Sequence, residues 1–400
     1  MLKAAVIGGG AAGFFAALSI RNHHPSAEVV LFEKSNKVLA KVKISGGGRC
    51  NVTNATFSAS SLSKCYPRGG KELKKTFDQF QTQDTVRWFE QHGVFLHKEA
   101  DGRMFPTTND SRTIVECLTQ AAEEANIEVR MQTAVRQLES SNNEWIVNDE
   151  AFDCVIVATG GSPSAKGFDW LRALGHRIAN PVPSLFTFNM PGNSITKLMG
   201  VVVPGAIARI QGTKLSEQGP ILITHWGMSG PGILKLSAWG ARELANSEYA
   251  FTAQINWIGE PNEEHARNVL EKAFPEIRKK KLENGCPFEL PRKFWSYIIE
   301  RAGCDPGQTW MSLGKKDRNR LFNTLLNDAH DVRGKTTFKE EFVTCGGIDI
   351  SDVNFKTMES RVTRGLYFAG EVLDVDGITG GFNFQAAWST GFVAGQLKGR

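Results

Sequence analysis

The stretch that most constrains this chain is Gly8-Gly9-Gly10-Ala11-Ala12-Gly13, a G-x-G-x-x-G set between an apolar run, Lys3 to Ile7, and an apolar helical pattern, Phe14 to Ile20. Val29 to Phe32 reads as the next strand, and Glu33 closes it, twenty residues after Gly13. Strand, glycine turn, helix and strand ending in an acid is the pattern of a Rossmann half. Gly8 permits the tight turn, Gly10 lets the backbone approach a pyrophosphate, and Gly13 lets helix and strand pack closely. Free N–H groups and the helix dipole at that turn attract phosphate charge. The Glu33 carboxylate can accept both hydroxyls of an adenosine ribose and would repel a 2′-phosphate. The chain is therefore expected to bind a dinucleotide.

Which dinucleotide is decided elsewhere. Cys154 to Ala158 is a second buried-strand run, ending in Thr159-Gly160-Gly161. Gly365 to Ala369 is a third, followed by Gly370-Glu371, then Asp374-Val375-Asp376-Gly377-Ile378-Thr379-Gly380-Gly381 and a helical stretch from Phe384 to Ala394. An NAD-only dehydrogenase has no use for this ending. In a flavoprotein of the glutathione-reductase type, the last strand brings an acid to the ribityl chain. The final helix aims its positive end at the flavin pyrimidine, where negative charge gathers on reduction. The usual Gly-Asp ending is Gly370-Glu371 here, so the ribityl contact lies open between Glu371 and Asp374.

With Lys43-Ile44-Ser45-Gly46-Gly47-Gly48-Arg49-Cys50-Asn51-Val52-Thr53-Asn54, Thr224 to Pro231, Thr344-Cys345-Gly346-Gly347 and Thr357 to Ser360, the chain resembles one family along its whole length. That family is the bacterial NAD(P)/FAD-dependent oxidoreductase flavoproteins, which include a bile-acid-inducible reductase and an aminoacetone oxidase. The resemblance implies non-covalent FAD, a redox activity and a three-part α/β fold: a glutathione-reductase-like Rossmann FAD-binding domain with an inserted β-barrel-like subdomain and a helical subdomain. It does not imply a substrate, because members differ. Candidate cofactor contacts are Gly8, Gly10, Ala12, Gly13, Glu33, Lys34, Lys43, Ser45, Gly46, Gly48, Arg49, Cys50, Asn51, Thr159, Gly160, Gly370, Glu371, Asp374, Gly381, Asn383 and Gln385. In the resembled architecture the backbone of a residue placed like Val135 touches the adenine. Arg49 could neutralise the pyrophosphate, lie near the isoalloxazine, or be a solvated loop cation. Cys50 reads as an adjacent rather than a redox thiol, since no resolving cysteine lies nearby.

The expected division is 1–187 with 336–400 for the FAD-binding domain, 188–258 with a returning strand near 336 for the β-rich insert, and 259–335 for the helical insert, the FAD domain resuming near Phe342. Two strands, Val135 to Leu138 and Trp145 to Val147, are expected to form a hairpin through Ser140-Ser141-Asn142-Asn143. Seven scattered cysteines, without C-x-x-C or a Cys/His cluster, exclude a disulfide scaffold and a zinc ribbon and predict no bound metal. With no apolar run long enough for a signal segment or membrane span, a soluble cytoplasmic setting is expected. Residues 262–335 carry 15 basic and 11 acidic side chains, an excess of +4 within a chain total of +5, with Arg278-Lys279-Lys280-Lys281 the densest run. A solvated helix face is the cheaper explanation, so nucleic acid ranks behind a small molecule as partner. The oligomeric state is not legible.

Three activities fit: hydride transfer from transiently bound NAD(P)H to a small organic substrate, oxidation of an amine with oxygen as acceptor, or an RNA-associated flavoprotein. The chain has no second G-x-G-x-x-G after a strand and no C-x₄-C, which argues against a dedicated nicotinamide domain and a dithiol relay. His225, in a glycine-containing loop expected directly ahead of a helix, is the candidate acid or base. The alternative is a turn histidine bonded to backbone.

Overall fold

The computed structural model describes residues 1–141, 144–337 and 343–399. The Asn142-Asn143 turn and Phe342 lie outside the described residues. The chain folds as two compact units, Met1–Ser184 with Phe338–Arg400, and Leu185–Thr337.

The first unit is built on a parallel sheet. Strand β1 (Lys3–Ile7) leads into α1 (Ala11–His23), β2 (Glu28–Phe32) and α2 (Ala40–Gly48). Then come β3 (Glu128–Arg130), β4 (Cys154–Val157), β5 (Ile178–Ser184), β6 (Val343–Ile348), β7 (Leu366–Phe368) and α3 (Phe382–Gly395). The order across the sheet is β7-β4-β1-β2-β3, with the short strands Glu359–Ser360 and Val353–Asn354 added antiparallel at the β7 edge. Val6 pairs with Ile156 on one side and Leu31 on the other, and Ile156 pairs with Tyr367. Ala4, Ala5 and Val6 are fully buried, as strands covered on both faces must be.

Helices α1 and α3 cross at very short range. A β-carbon at Gly391 would lie 2.5 Å from the Ala12 carbonyl oxygen, and one at Gly395 would lie 2.4 Å from that of Ala16. Ser19 Oγ fastens the crossing by donating to the Phe392 carbonyl (2.6 Å), and Thr390 Oγ1 accepts from Gly370 N–H (2.8 Å) at the end of β7. The start of α1 and the middle of α3 are thus packed at the carboxyl end of β7, and ligands bind at such strand ends in open α/β sheets.

Strands β5 and β6 pair antiparallel, Val182 with Cys345 and Ser184 with Val343. They carry the chain out of this unit and back. Val135 lies outside any strand; the hairpin partner of Glu144–Val147 is Leu138–Ser141.

The second unit has a five-stranded and a four-stranded sheet, which include the strands Thr187–Asn189, Ile221–Ile223, Gly227–Ser229, Ala250–Asn256 and Asp328–Arg333. Its helices include Pro231–Trp239, Glu263–Ile277, Arg292–Arg301 and Lys315–Asn327. Asn262 caps the second of these, its side chain accepting from His265 N–H, and Glu263 and Glu264 complement the helix dipole. Strands and helices share one apolar core: Phe186, Ile223, Met228 and Leu236 cluster with Trp257, Phe294, Trp295 and Trp310. Inside it Asp328 accepts from Trp257 Nε1 (2.9 Å) and pairs with His330 Nε2 (2.7 Å) and Arg301 Nε (2.5 Å).

No described helix is long and apolar enough to cross a membrane. Among the described residues no group of three or more His, Cys, Asp or Glu is placed to hold a metal ion.

Candidate functional site: a dinucleotide cradle

The first turn of α1 has no capping side chain, so its leading N–H groups are left for a ligand. The glycines before it divide by role. A β-carbon at Gly8 would lie 2.4 Å from the Ala158 carbonyl oxygen and one at Gly13 would lie 1.9 Å from that of Gly8, so both are required by close packing. Around Gly10 nothing lies within 4 Å of that position. It faces open space in front of an uncapped helix, which is where a pyrophosphate fits. Ala12 is buried, in contact distance of Gly370. This turn and the last strand are therefore one wall.

Glu33 accepts from Gly9 N–H (2.9 Å) through Oε2 and from Ser35 N–H (2.8 Å) through Oε1. Two backbone donors fix the carboxylate beside the glycine turn, and each oxygen keeps a lone pair for a ribose hydroxyl. Lys34 is exposed, and Val135 is half-buried against the apolar core. Thr159 is exposed, and Gly160, at φ +76°, has nothing within 4 Å of where a β-carbon would stand.

The Ser45–Asn51 segment differs from the open loop expected from its glycines. Its first half ends α2, which kinks where Ser45 turns extended and Gly46 and Gly47 take positive φ. Lys43 is exposed, and Ser45 Oγ donates to the Val42 carbonyl (3.0 Å). Arg49 donates to Glu99 (2.7 Å) and lies 4.0 Å from the Phe105 ring centre, so part of its charge is already compensated. Cys50 is fully buried, and burial pushes its thiol up to about 12, which suits a packed residue and not a redox thiol. With its amide oriented so that both ends pair, Asn51 donates to the Thr53 carbonyl (3.0 Å) and accepts from Gly381 N–H (2.9 Å). Asn51 thereby ties this segment to the start of α3.

At the end of β7, Glu371 accepts from Thr344 N–H (2.8 Å) and pairs with Lys41 (2.7 Å). Its Oε1 and the Thr344 hydroxyl both converge on Gly161. Thr344 is fully buried and its Oγ1 has no hydrogen-bond partner, an orphan beside the cradle that motif reading passed over. Asp374 is buried in the loop that follows. Two residues on, Asp376 is bound by Arg68 through two nitrogens, one at 2.6 Å, and accepts from Ser184 Oγ (2.6 Å). Asn383 braces the same loop, exchanging two hydrogen bonds with Gly377. Gln385, expected from the motif to face the cofactor, is fully buried; its side chain accepts from Thr53 and Thr85 and donates to Ser389. α3 begins at Gly381 without a capping side chain and without an acid in its first turn.

His225 is placed differently from expectation. It is exposed in a tight hairpin turn, Thr224 N–H donating to the Gly227 carbonyl (2.8 Å), and its ring meets Trp226 edge-on at 4.3 Å. The strand Gly227–Ser229 separates it from the helix at Pro231.

Two uncapped helix starts, a carboxylate beside the glycine turn and a polar wall at the last strand suit a dinucleotide, and the class of the protein is an FAD-dependent oxidoreductase of the Rossmann type. The model of the HI0933-like protein Rossmann domain matches residues 2–397, and the chain belongs to that family. It is 30% identical to a ribosomal RNA dihydrouridine synthase of Escherichia coli, over 98% of this chain and 97% of the relative. It is 29% identical to the protein of the same name in Haemophilus influenzae, over 97% and 96%. It is 26% identical to a 3-dehydro-bile acid delta(4,6)-reductase of Clostridium scindens, over 99% and 98%.

Proposed function

We propose that this protein is an FAD-dependent reductase that saturates a carbon–carbon double bond conjugated to a carbonyl, and that its substrate is a uridine of ribosomal RNA. The observation that carries this is the full-length correspondence to two ribosomal RNA dihydrouridine synthases. The bile-acid relative supports the same chemistry on a different molecule. The 5,6 bond of uracil is conjugated to its 4-carbonyl, as a steroid 4,6-diene is to a 3-oxo group. In both, hydride adds to a carbon remote from the carbonyl, negative charge gathers on oxygen, and a proton follows. A small enone is the second reading, favoured by that reductase.

Within this chain the N–H groups of α1 and the Glu33 carboxylate would hold the adenosine diphosphate portion. The Glu371–Thr344 wall and the start of α3 would hold the flavin portion. Bound FAD would supply the hydride, with NAD(P)H as the proposed source of electrons. His225, an exposed side chain in a hairpin turn, is the proposed proton donor.

The test uses purified, flavin-loaded enzyme with NADH or NADPH, unmodified ribosomal RNA and a steroid dienone in parallel. Nuclease digestion and mass spectrometry should find dihydrouridine formed in step with nicotinamide oxidation. No dihydrouridine, with oxygen uptake on adding an amine, would replace the proposal with the oxidase. His225→Ala should keep its flavin and lower turnover by about 10²–10⁴-fold; full turnover would reduce His225 to a turn residue.

A further inference from the structure

Most guanidinium groups in the first unit are matched to carboxylates: Arg103 to Glu99 and Asp101, Arg130 to Glu128 and Glu150, Arg177 to Asp352. One group of cations in the second unit is not. Arg278, Lys279, Lys280 and Lys281 follow the helix Glu263–Ile277 and are all exposed. Among the described residues no ion pair ties any of them to a carboxylate. The backbone sets a second segment beside them: Met311 N–H donates to the Arg278 carbonyl (3.0 Å), Trp310 N–H to that of Lys280 (3.3 Å), and Lys281 bridges to Thr309. Met311 itself is 63% exposed. A few residues on, the exposed Lys315 and Lys316 open the helix Lys315–Asn327.

The bland account, cations stabilising a helix, covers only part of this. Arg278 to Lys281 follow a helix C-terminus, where positive charge is favourable, but Lys315 and Lys316 occupy a first turn, where the dipole opposes it. Four consecutive exposed cations, with two more a few residues along the chain from the segment hydrogen-bonded beside them, make a surface that an extended polyanion would stabilise. The segment beneath is firm: Trp295 and Trp310 stack at 6.3 Å and donate to the carbonyls of Leu282 and Gly285. The tips above it are lysine-rich and carry no exposed aromatic ring, which suits phosphate contacts more than base stacking.

We infer that Arg278–Lys281 together with Lys315 and Lys316 form a docking surface for the phosphate backbone of ribosomal RNA. The inference rests on the RNA reading above and adds to it the part of the chain that grips the polymer. Such contacts are independent of sequence and release counterions, so they leave a signature in salt dependence.

The experiment measures binding of the holoenzyme to a fluorescent ribosomal RNA fragment across a salt series. Wild type is compared with three variants: R278A/K279A/K280A/K281A, the charge-preserving K279R/K280R/K281R, and K71A/K74A/K75A, whose lysines are exposed on another helix. The alanine quadruple should bind about 10–100-fold more weakly, with a salt slope smaller by about 3. The arginine variant and the control triple should behave as wild type. A quadruple variant with unchanged affinity and slope, an equal loss in the control triple, or a wild type that does not bind would each overturn the inference. Dihydrouridine formation on the same RNA is scored separately. Patch-dependent binding without modification would sink the substrate reading and leave the docking surface standing, whereas modification with a dispensable patch would do the reverse.

Discussion

In the unit that carries the cradle, the groups offered to a ligand are largely main-chain N–H groups at the starts of α1 and α3, flanked by carboxylates pinned by backbone donors. In Leu185–Thr337 they are the tips of long cationic side chains over a tryptophan-lined core. The first arrangement demands glycine at fixed spacing, because packing at Gly8 and Gly13 admits no β-carbon. The second demands only charge at an exposed position, and lysine is common on any surface. A cofactor read by backbone leaves a signature in sequence; a polymer gripped by side chains leaves little more than a composition bias.

The comparison is broken most forcefully at the glycine turn. Gly13→Val drives a side chain into the Gly8 carbonyl, so the βαβ unit should not form and the protein should be insoluble or colourless. A β-carbon at Gly10 has no protein atom within 4 Å, so the Gly10→Val chain should fold with wild-type circular dichroism and yet hold no flavin. A yellow Gly10→Val protein would show that the cradle is not where the pyrophosphate lies.

A smaller effect separates two arginine pairs whose carboxylates are buried. Arg68→Ala strands Asp376, which is fully buried, beside only the Ser184 hydroxyl, and should cost about 3–5 kcal/mol. Arg301→Ala leaves Asp328 its His330 and Trp257 partners and should cost about 1–3 kcal/mol. Urea unfolding of the two variants checks the order; equal losses would mean that the network around Asp328 does not share the charge.

The smallest expected effect is acidic. Burial pushes the Asp328 carboxyl up, but the hydrogen bond and charge of His330, with Arg301 and Trp257, outweigh it and hold the group below its ordinary 3.8. A depressed carboxyl contributes stability above its unfolded value and loses it as pH falls through the folded one. The Leu185–Thr337 unit should therefore weaken on acidification below 3.8, and Asp328→Asn should flatten that dependence in urea midpoints measured against pH.

How far the sequence reveals these features follows the same division. β1, α1, β2, β4 and β7 are legible because buried parallel strands are near-continuous apolar runs and the turns between them are forced to glycine. The Ser45–Asn51 kink is not, since three glycines read equally as a loop. Arg49 finds Glu99 fifty residues away, a pairing that no local pattern encodes. Gln385 shows why a polar residue on a buried helix is ambiguous: one turn of rotation decides between a ligand and Thr53 with Thr85. The strand between His225 and the helix at Pro231 goes unread because Gly227-Met228-Ser229 is too short for an alternating pattern to announce it.

The sheet order also has a consequence for the timing of synthesis. β4 ends at Val157 and its neighbour β7 begins at Leu366, so on a ribosome adding about 5–20 residues per second the two are separated by roughly 10–40 s. Throughout that interval β4 has an unpaired edge, a hazard for pairing with other chains. Everything between Leu185 and Thr337 emerges in the meantime and has its own core with which to fold. The cradle, whose last wall is α3 (Phe382–Gly395), is complete only after α3 has been made, so it is assembled from ends of the chain that the whole of Leu185–Thr337 keeps apart during synthesis.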